Sequence, residues 1–258
     1  SVCFVPTMSY LHEGHQSLIQ KPVSENDRVV VSIFVNPMQF GPSEDLESYP
    51  RDLEKDASLC EASGVDLIFH PEPKEMYHPD FSSFVDMHGL TESLCGKSRP
   101  AHFRGVCTVV TKLFNIVQPD CAYFGQKDAQ QLAVIQQMVR DLNLDVTVIG
   151  CPIIREADGL AKSSRNSYLS ADERKAALVL SQALEVAKQL LANGEQNAAK
   201  IRNAISETIQ AEPLAKIDYV ELVDARTLQQ VDSVERPVLV ALAVYIGKTR
   251  LIDNFITE

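Results

Sequence analysis

Two histidines near the start of the chain are its most informative feature. His12 and His15 are separated by Glu13 and Gly14, and they follow a strand-like apolar run at residues 2–5 and a short turn. Side chains three residues apart lie on the same side of a helical turn, and the glycine lets a flat ring approach the backbone. Because free backbone N–H groups point outward where a strand leads into a helix, α/β proteins bind phosphates there. The motif predicts a nucleotide site.

Two other interpretations of this motif stay open at this point. A His-x-x-His pair also arises by chance in helices, and it is half of what a zinc site needs. Zinc requires a third or fourth ligand of the right type, and the sequence contains neither His-Glu-x-x-His nor Cys-x-x-Cys.

Amide side chains follow the central apolar run at residues 29–35. Asn36 and Gln39 lie directly after it, and amides donate to a carboxylate and accept from hydroxyls without adding charge. The segment therefore suits a small polar substrate, with an ordinary polar loop as the alternative.

A charged segment follows another strand-like run. Gly125, Gln126, Lys127 and Asp128 stand at a strand-to-helix junction, where a lysine suits a phosphate and an aspartate suits ribose hydroxyls. Gln131, three residues on, faces the same way as Asp128. The alternative is an ordinary helix start with a solvated lysine.

Two cationic segments remain to be placed. Lys162, Ser163, Ser164 and Arg165 combine hydroxyls and charges in a composition that grips phosphate, and we expect a flexible loop there; the alternative is a solvated loop. A second segment, with Arg99, His102 and Arg104, precedes a predicted buried helix; its alternative is a loop with solvated arginines.

All of these segments together predict a site for a polyanionic nucleotide beside a small carboxylic acid. In such a site a carboxylate attacks a phosphate of the nucleotide, and the protein positions the reactants and neutralises their charge.

Alternating strands and helices must position these residues. The run at 29–35 is continuously apolar and β-branched, which suits a strand buried in a parallel sheet. Shorter runs lie at 67–69, 122–124 and 146–149, and helical periods lie at 106–117 and 132–142. The order predicts an α/β fold with a doubly wound parallel sheet and ligands at the carboxyl ends of its strands.

The pattern changes after about residue 168. Ser170 and Glu173 form a capping box for a long helix to about residue 191, and a second helix spans about 197–210. Strand-like runs follow at 217–223 and 237–246. We therefore expect two domains, a catalytic domain at 1–167 and a smaller C-terminal α/β lid domain at 168–258.

Composition narrows the function classes. The chain has 258 residues, 45% hydrophobic and 23% charged, with a formal net charge of −11. That charge argues against sequence-independent nucleic-acid binding, and the sequence has no membrane-length apolar run. The first residues lack a signal peptide's basic flank, and the six cysteines are widely spaced, so we expect reduced thiols and a cytoplasmic location.

Several segments together resemble the pantoate–β-alanine ligase family. They are residues 6–8, 12–15, 31–40, 49–51, 102–106, 124–132 and 163–166, with further similarity as far as 251–254. The resemblance implies a Rossmann-like fold of the HxGH nucleotidyltransferase type, a C-terminal domain that closes the site, and a homodimer. It implies that ATP and pantoate form pantoyl adenylate and pyrophosphate, that β-alanine then releases AMP to give pantothenate, and that Mg²⁺ accompanies ATP with no tightly bound organic cofactor.

The resemblance also implies individual roles. The catalytic residues would be His12, His15 (the proton donor), Lys127 and Arg165. The ATP-binding residues would be Met8, Gly125, Gln126, Lys127, Asp128, Ile154, Lys162, Ser163, Ser164 and Arg165. Gln39, Gln131 and Asn36 would bind substrate, and Asp56 would contact magnesium.

The sequence departs from the family pattern at three positions. Ser9 and Ala101 replace usual glycines, and serine would be strained if its turn needs a positive φ. Pro22 falls in the predicted first helix, where it would kink or end the helix. Family members also carry a helical segment before the first strand, so we expect a chain truncated relative to them.

Two rival functions remain. Another adenylyl-transferring enzyme of the same superfamily, such as a tRNA synthetase, would carry a basic anticodon-binding domain, and the C-terminal part is acidic. A nucleotide-binding regulatory module without turnover would not need Gln39 and Gln131.

Overall fold

Five parallel strands form the sheet of the first structural unit. A computed structural model describes residues 1–235 and 237–257. The strands are β1 (Val2–Thr7), β2 (Arg28–Ile33), β3 (Leu67–Phe69), β4 (Cys121–Gly125) and β5 (Thr147–Cys151). Their order is β3-β2-β1-β4-β5, with every neighbouring pair parallel. The predicted doubly wound sheet is confirmed, and the strand order reverses at β1, where such sheets bind ligands.

Six α-helices lie in the segments around these strands. They are α1 (Glu13–Glu25), α2 (Leu53–Ala62), α3 (Pro73–Met76), α4 (Leu94–Ser98), α5 (His102–Val117) and α6 (Ala129–Asp141). Apolar residues at helical spacing bury one side of α5. It ends where Gln118 takes a left-handed conformation with φ 49°.

The second unit comprises α4 and the chain from Arg155 onward. Its other helices are α7 (Ala171–Ala176), α8 (Val179–Ala192) and α9 (Ala198–Gln210). An antiparallel sheet, in the order β6 (Ala215–Asp224), β7 (Val238–Ile246) and β8 (Thr249–Ile256), completes it. Apolar side chains of α8, α9 and β7 form its core.

The two compact units are bounded differently from the predicted domains at 1–167 and 168–258. The chain leaves the first unit after Ile154, and the short α4 belongs to the second unit. The physical reason is local packing, because Arg155 pairs with Asp253 and Leu160 joins the core of the second unit.

Two element predictions are wrong in detail. The long helix expected from 170 to about 191 is divided into α7 and α8, because Leu178 donates its N–H to the Lys175 carbonyl in a tightened turn. Pro22 was expected to kink the first helix or to end it early, and the helix does not end there but runs on to Glu25. The strand β8 was missed.

The cysteine prediction is wrong for one pair. Cys3 and Cys121 are joined by a disulfide, because the parallel register of β1 and β4 makes them partners with Cα atoms 4.9 Å apart. The other four cysteines are buried thiols that form no disulfide. Separately, no helix in the described ranges is both long and apolar enough to cross a membrane.

The pair Arg155–Asp253 gives a stability prediction. Asp253 is almost fully buried and accepts from Nη1 and Nη2 of Arg155 at 2.6 and 2.8 Å. Asp253→Asn leaves the guanidinium without its counter-charge, so the free energy of unfolding should fall by about 2–4 kcal/mol in urea titrations. The control is Asp158→Asn, which removes an exposed partner of Arg174 and should cost less than about 1 kcal/mol. Equal losses in both variants would contradict the burial argument.

Candidate active site

A buried carboxylate shapes the turn after β1. Asp56 is fully buried and accepts from Ser9 Oγ at 3.0 Å, from Tyr10 N at 2.8 Å and from Leu11 N at 2.6 Å. The turn does need a positive φ, but Tyr10 adopts it at 58°, and Ser9 is outside the left-handed region. The prediction that Ser9 is strained is therefore wrong. Its hydroxyl instead contributes a hydrogen bond to Asp56.

The same contacts correct the prediction that Asp56 binds magnesium. Both of its oxygens are used to hold the turn, and its side chain has no exposed surface. More generally, the part of the chain that the structure describes contains no group of three or more His, Cys, Asp or Glu side chains suited to a metal ion.

The first turn of α1 fixes both histidines. His12 is the N-cap, and its Nδ1 accepts the Gly14 N–H at 3.1 Å. His15 Nδ1 accepts the N–H of His12 at 3.2 Å. Since each Nδ1 is an acceptor, a neutral ring carries its proton on Nε2. The rings lie 4.1 Å apart between centroids, so the turn holds two Nε2–H donors side by side.

Burial keeps His15 neutral. Desolvation first, and then the positive charge of Lys127, lower the pKa of His15 to about 4. The imidazole is therefore uncharged at neutral pH and donates a hydrogen bond rather than a full charge. The electrostatic coupling also means that the structure brings Lys127 near His15, as the predicted site requires.

The backbone at the end of β4 is open to a ligand. Gly125 has φ −75°, so its conformation does not require glycine, but a Cβ there would meet nothing within 4 Å. A 3₁₀ helix (Gln126–Asp128) follows and leads into α6, with Asp128 exposed and Gln131 half-buried in the first turn of α6. These residues lie at the carboxyl end of the strand beside β1, where the sheet order reverses.

Asn36 orients Gln39. Asn36 is buried; its Nδ2 donates to Gln39 Oε1 at 3.0 Å and to the Gly105 carbonyl at 3.1 Å, and its Oδ1 accepts from Tyr77 Oη at 2.7 Å and from Met38 N at 3.3 Å. With donors and acceptors all used, Asn36 supports the site instead of binding substrate as predicted.

Gln39 and Met8 meet in the site. Gln39 Nε2 lies 3.2 Å from the Met8 sulfur, so a residue predicted for the carboxylic acid contacts one predicted for the nucleotide. The structure thus brings the ends of β1 and β2 together.

The contacts of the segment before α5 exclude the solvated alternative for Arg99. Arg99 is bonded to Glu44, His102 and the Gln39 carbonyl rather than solvated. Ala101 has φ −90°, which any residue adopts, so the glycine usual in the family is not needed. Glu44 was missed, because no sequence spacing connects it with Arg99.

In the second unit, the segment with Lys162 has defined local contacts. Arg155 and Ala161 form an antiparallel bridge, Lys162 pairs with Glu156 at 3.1 Å, and Ser163 Oγ accepts the Arg165 N–H at 3.3 Å. A 3₁₀ helix (Ser164–Tyr168) follows, with Ser164 buried. Ile154, the last residue of the first unit, is half-buried.

The sheet and the histidine pair define a Rossmann-like α/β enzyme of the nucleotide-binding type. A family model described as pantoate-beta-alanine ligase matches residues 1–256. The chain belongs to the pantoate–β-alanine ligase family. It is an ATP-dependent ligase that condenses pantoate with β-alanine to pantothenate through a pantoyl adenylate, releasing AMP and pyrophosphate.

Curated relatives and solved structures agree with this assignment. Pantothenate synthetase of Enterococcus faecalis is 64% identical over 257 residues, covering 100% of this chain and 91% of the relative. That of Clostridium acetobutylicum is 62% identical over 255 residues, covering 99% and 91%. The crystal structure of pantothenate synthetase from Thermus thermophilus matches with TM-score 0.96 and 47% identity, covering 98% of this chain and 92% of that one. Pantoate-beta-alanine ligase from Francisella tularensis, complexed with beta-gamma ATP and beta-alanine, matches with TM-score 0.80 and 37% identity, covering 99% and 89%.

The histidine tautomers can be measured directly. We predict that ¹⁵N NMR at pH 7 shows His15 neutral with its proton on Nε2, and that the ring stays neutral as the pH falls to 5, because its pKa is about 4. The urea-unfolded protein is the control, in which histidines titrate near about 6.5. A folded His15 that protonates near pH 6.5, or that carries its proton on Nδ1, would contradict the assigned geometry.

Substitution by alanine should destabilise the protein at Gly105 but not at Gly125. A Cβ at Gly105 would overlap the Met38 carbonyl oxygen and lie 2.6 Å from Gln39 Cα, so Gly105→Ala must displace the segment that carries Gln39. We expect unfolding free energy to fall by roughly 2 kcal/mol or more. Gly125→Ala adds a methyl to open space at an ordinary φ and should leave stability unchanged or slightly higher. Thermal unfolding of the two purified variants tests this, and similar losses in both would count against the packing.

Proposed function

We propose that the ends of β1 and β4 bind the triphosphate and that α1 supplies its hydrogen-bond donors. The observation that carries the proposal is the neutral His15, whose Nε2–H and nearby Lys127 offer a donor and a positive charge at one place. The N-terminus of α1 adds outward backbone N–H groups and the positive end of the helix dipole. His12 and His15 therefore contact phosphate oxygens, with Gly125 and Gln126 at the phosphate and Asp128 at the ribose.

In the first half-reaction, a carboxylate oxygen of pantoate attacks the α-phosphorus of ATP. The bond from that phosphorus to the bridging oxygen breaks, and pyrophosphate leaves with the electron pair. Negative charge grows on the phosphoryl oxygens during this in-line displacement, so preorganised donors lower the barrier. We assign this task to His15 Nε2–H, His12 Nε2–H and Lys127.

In the second half-reaction, the neutral amine of β-alanine attacks the acyl carbon of the adenylate. AMP leaves with the electrons of the broken acyl–oxygen bond, and the nitrogen loses a proton to solvent. The adenylate is already activated, so no side chain needs to form a covalent bond with the substrate.

Gln39 and Gln131 are our proposed ligands for pantoate. Gln39 lies against Met8, and we place Met8 at the nucleotide, so the amide stands where the two substrates must meet. The Francisella tularensis neighbour is a complex with beta-gamma ATP and beta-alanine, which supports a site for both molecules. Gln39 is also a candidate to contact β-alanine.

We assign the remaining ATP contacts to the second unit. Lys162, Ser163, Ser164 and Arg165 would bind phosphates, and Ile154 would pack near the adenine. Arg165 has the planar fork that suits a phosphate, and Lys162 would exchange its partner Glu156 for the nucleotide.

We also propose that the protein forms a homodimer, has a cytoplasmic location and uses Mg²⁺ with ATP.

Because the described residues hold no acidic metal cluster, they do not fit a dedicated magnesium site. An ion carried by the ATP phosphates is consistent with the few protein ligands that Mg²⁺ needs, and no step above depends on it.

The proposal predicts pantoate-dependent exchange of labelled pyrophosphate into ATP. His15→Ala should slow this exchange by about 10²-fold or more, because a preorganised donor to the developing charge is lost. His78→Ala, which removes an exposed histidine, is the matched control and should exchange at the wild-type rate. Exchange that proceeds without pantoate would reject the assigned half-reaction, and an unaffected His15→Ala would reject the assigned donor.

A further inference from the structure

The N-terminal end of α5 carries a polar network that the two half-reactions do not use. Arg99 Nε and Nη2 donate to the two carboxylate oxygens of Glu44 at 2.6 and 2.7 Å. Arg99 Nη1 lies 3.3 Å from Nε2 of His102. The side chains of Arg99 and Glu44 are 15% and 24% exposed, so most of this ion pair is removed from water.

The network ends on the main-chain carbonyl of Gln39. His102 Nδ1 lies 3.0 Å from that oxygen and Arg99 Nη2 lies 3.3 Å from it. Because a guanidinium only donates, His102 Nε2 must accept, and the imidazole proton therefore sits on Nδ1 and points at the carbonyl. Burial and then Arg99 lower the pKa of His102 to about 4, against the opposing charges of Glu44 and Asp128. The ring keeps this tautomer at neutral pH.

Glu44 and Arg99 also hold the loop that follows Gln39. Glu44 Oε2 accepts the Gly41 N–H at 3.0 Å, so both ends of the short segment from Gln39 to Gly41 are tied through Arg99 to the start of α5. Gly105, one turn into α5, packs directly under Gln39 Cα. The side chain of Gln39 is oriented by its contacts with Asn36 and Met8. The polar network instead holds the main chain of Gln39.

We infer that Glu44, Arg99 and His102 form a positioning network that fixes Gln39 for the carboxylic-acid substrate. The inference rests on the proposed role of Gln39. None of the three residues is assigned a substrate contact; they act through the Gln39 carbonyl. Since the triphosphate is assigned to residues after β1 and β4, the network should control affinity for pantoate and leave affinity for ATP unchanged. A merely structural role would weaken both.

The test compares two substitutions of one side chain. His102→Phe keeps a ring but removes both nitrogens, while His102→Asn retains an N–H that can reach the Gln39 carbonyl. The exposed Asn115, near the far end of α5, gives the matched control Asn115→Ala. The readouts are the KM for pantoate in pyrophosphate exchange and the Kd of a non-hydrolysable ATP analogue by calorimetry.

We expect His102→Phe to raise the KM for pantoate by about tenfold or more, the effect of losing one buried hydrogen bond, with the Kd of the ATP analogue within about twofold of wild type. His102→Asn should recover most of the loss, and Asn115→Ala should match wild type. The inference would be overturned if His102→Phe changed the KM for pantoate and the Kd of the ATP analogue by the same factor. It would also be overturned if His102→Phe and His102→Asn raised the KM for pantoate equally.

Glu44→Gln keeps the test decisive if His102→Phe does not fold. It removes the charge that holds Arg99 with little change of size, and it should raise the KM for pantoate several-fold without changing the Kd of the ATP analogue. An unchanged KM overturns the inference alone. Wild-type protein that shows no pantoate-dependent exchange overturns the proposed function and this inference with it.

Discussion

The neutral state of His15 at the start of α1 is the constraint on which the proposed site depends. Two imidazoles 4.1 Å apart beside a lysine would repel one another if protonated. Burial prevents this by holding the pKa of His15 at about 4, and the backbone N–H groups on each Nδ1 fix the remaining proton on Nε2. In the triphosphate site that we propose, an anion would therefore meet hydrogen-bond donors and one cation, and the protein would not have to hold three adjacent positive charges before a phosphate binds.

The fold supplies this arrangement through buried polar contacts rather than through the sheet alone. Asp56 holds the turn that leads into His12, and Tyr10 takes the one left-handed conformation that the turn needs. At the end of β2, Asn36 and the start of α5 hold Gln39. Asp56 and Asn36 are removed from water, so an unmade hydrogen bond to either would be costly, and this cost keeps the turn and Gln39 in one geometry.

The sequence was sufficient for the parts of the structure that follow from local pattern. Continuous apolar runs predicted the five strands of the parallel sheet, whereas the order of those strands could not be predicted from the sequence. Glu44 was out of reach because its partner Arg99 is distant in sequence and only tertiary packing unites them. The strand β8 was hidden because Asp253 and Asn254 interrupt its apolar pattern with buried polar groups. Similarly, the acidic Asp56 looked like a metal ligand because sequence does not show burial.

A crystal structure of the protein with a non-hydrolysable ATP analogue tests the central claim most directly. We expect Nε2 of His12, Nε2 of His15 and Nζ of Lys127 each to lie within hydrogen-bond distance of phosphate oxygens, while each Nδ1 keeps its backbone partner. A triphosphate bound away from the first turn of α1, or histidine rings turned so that Nδ1 faces the phosphates, would contradict it.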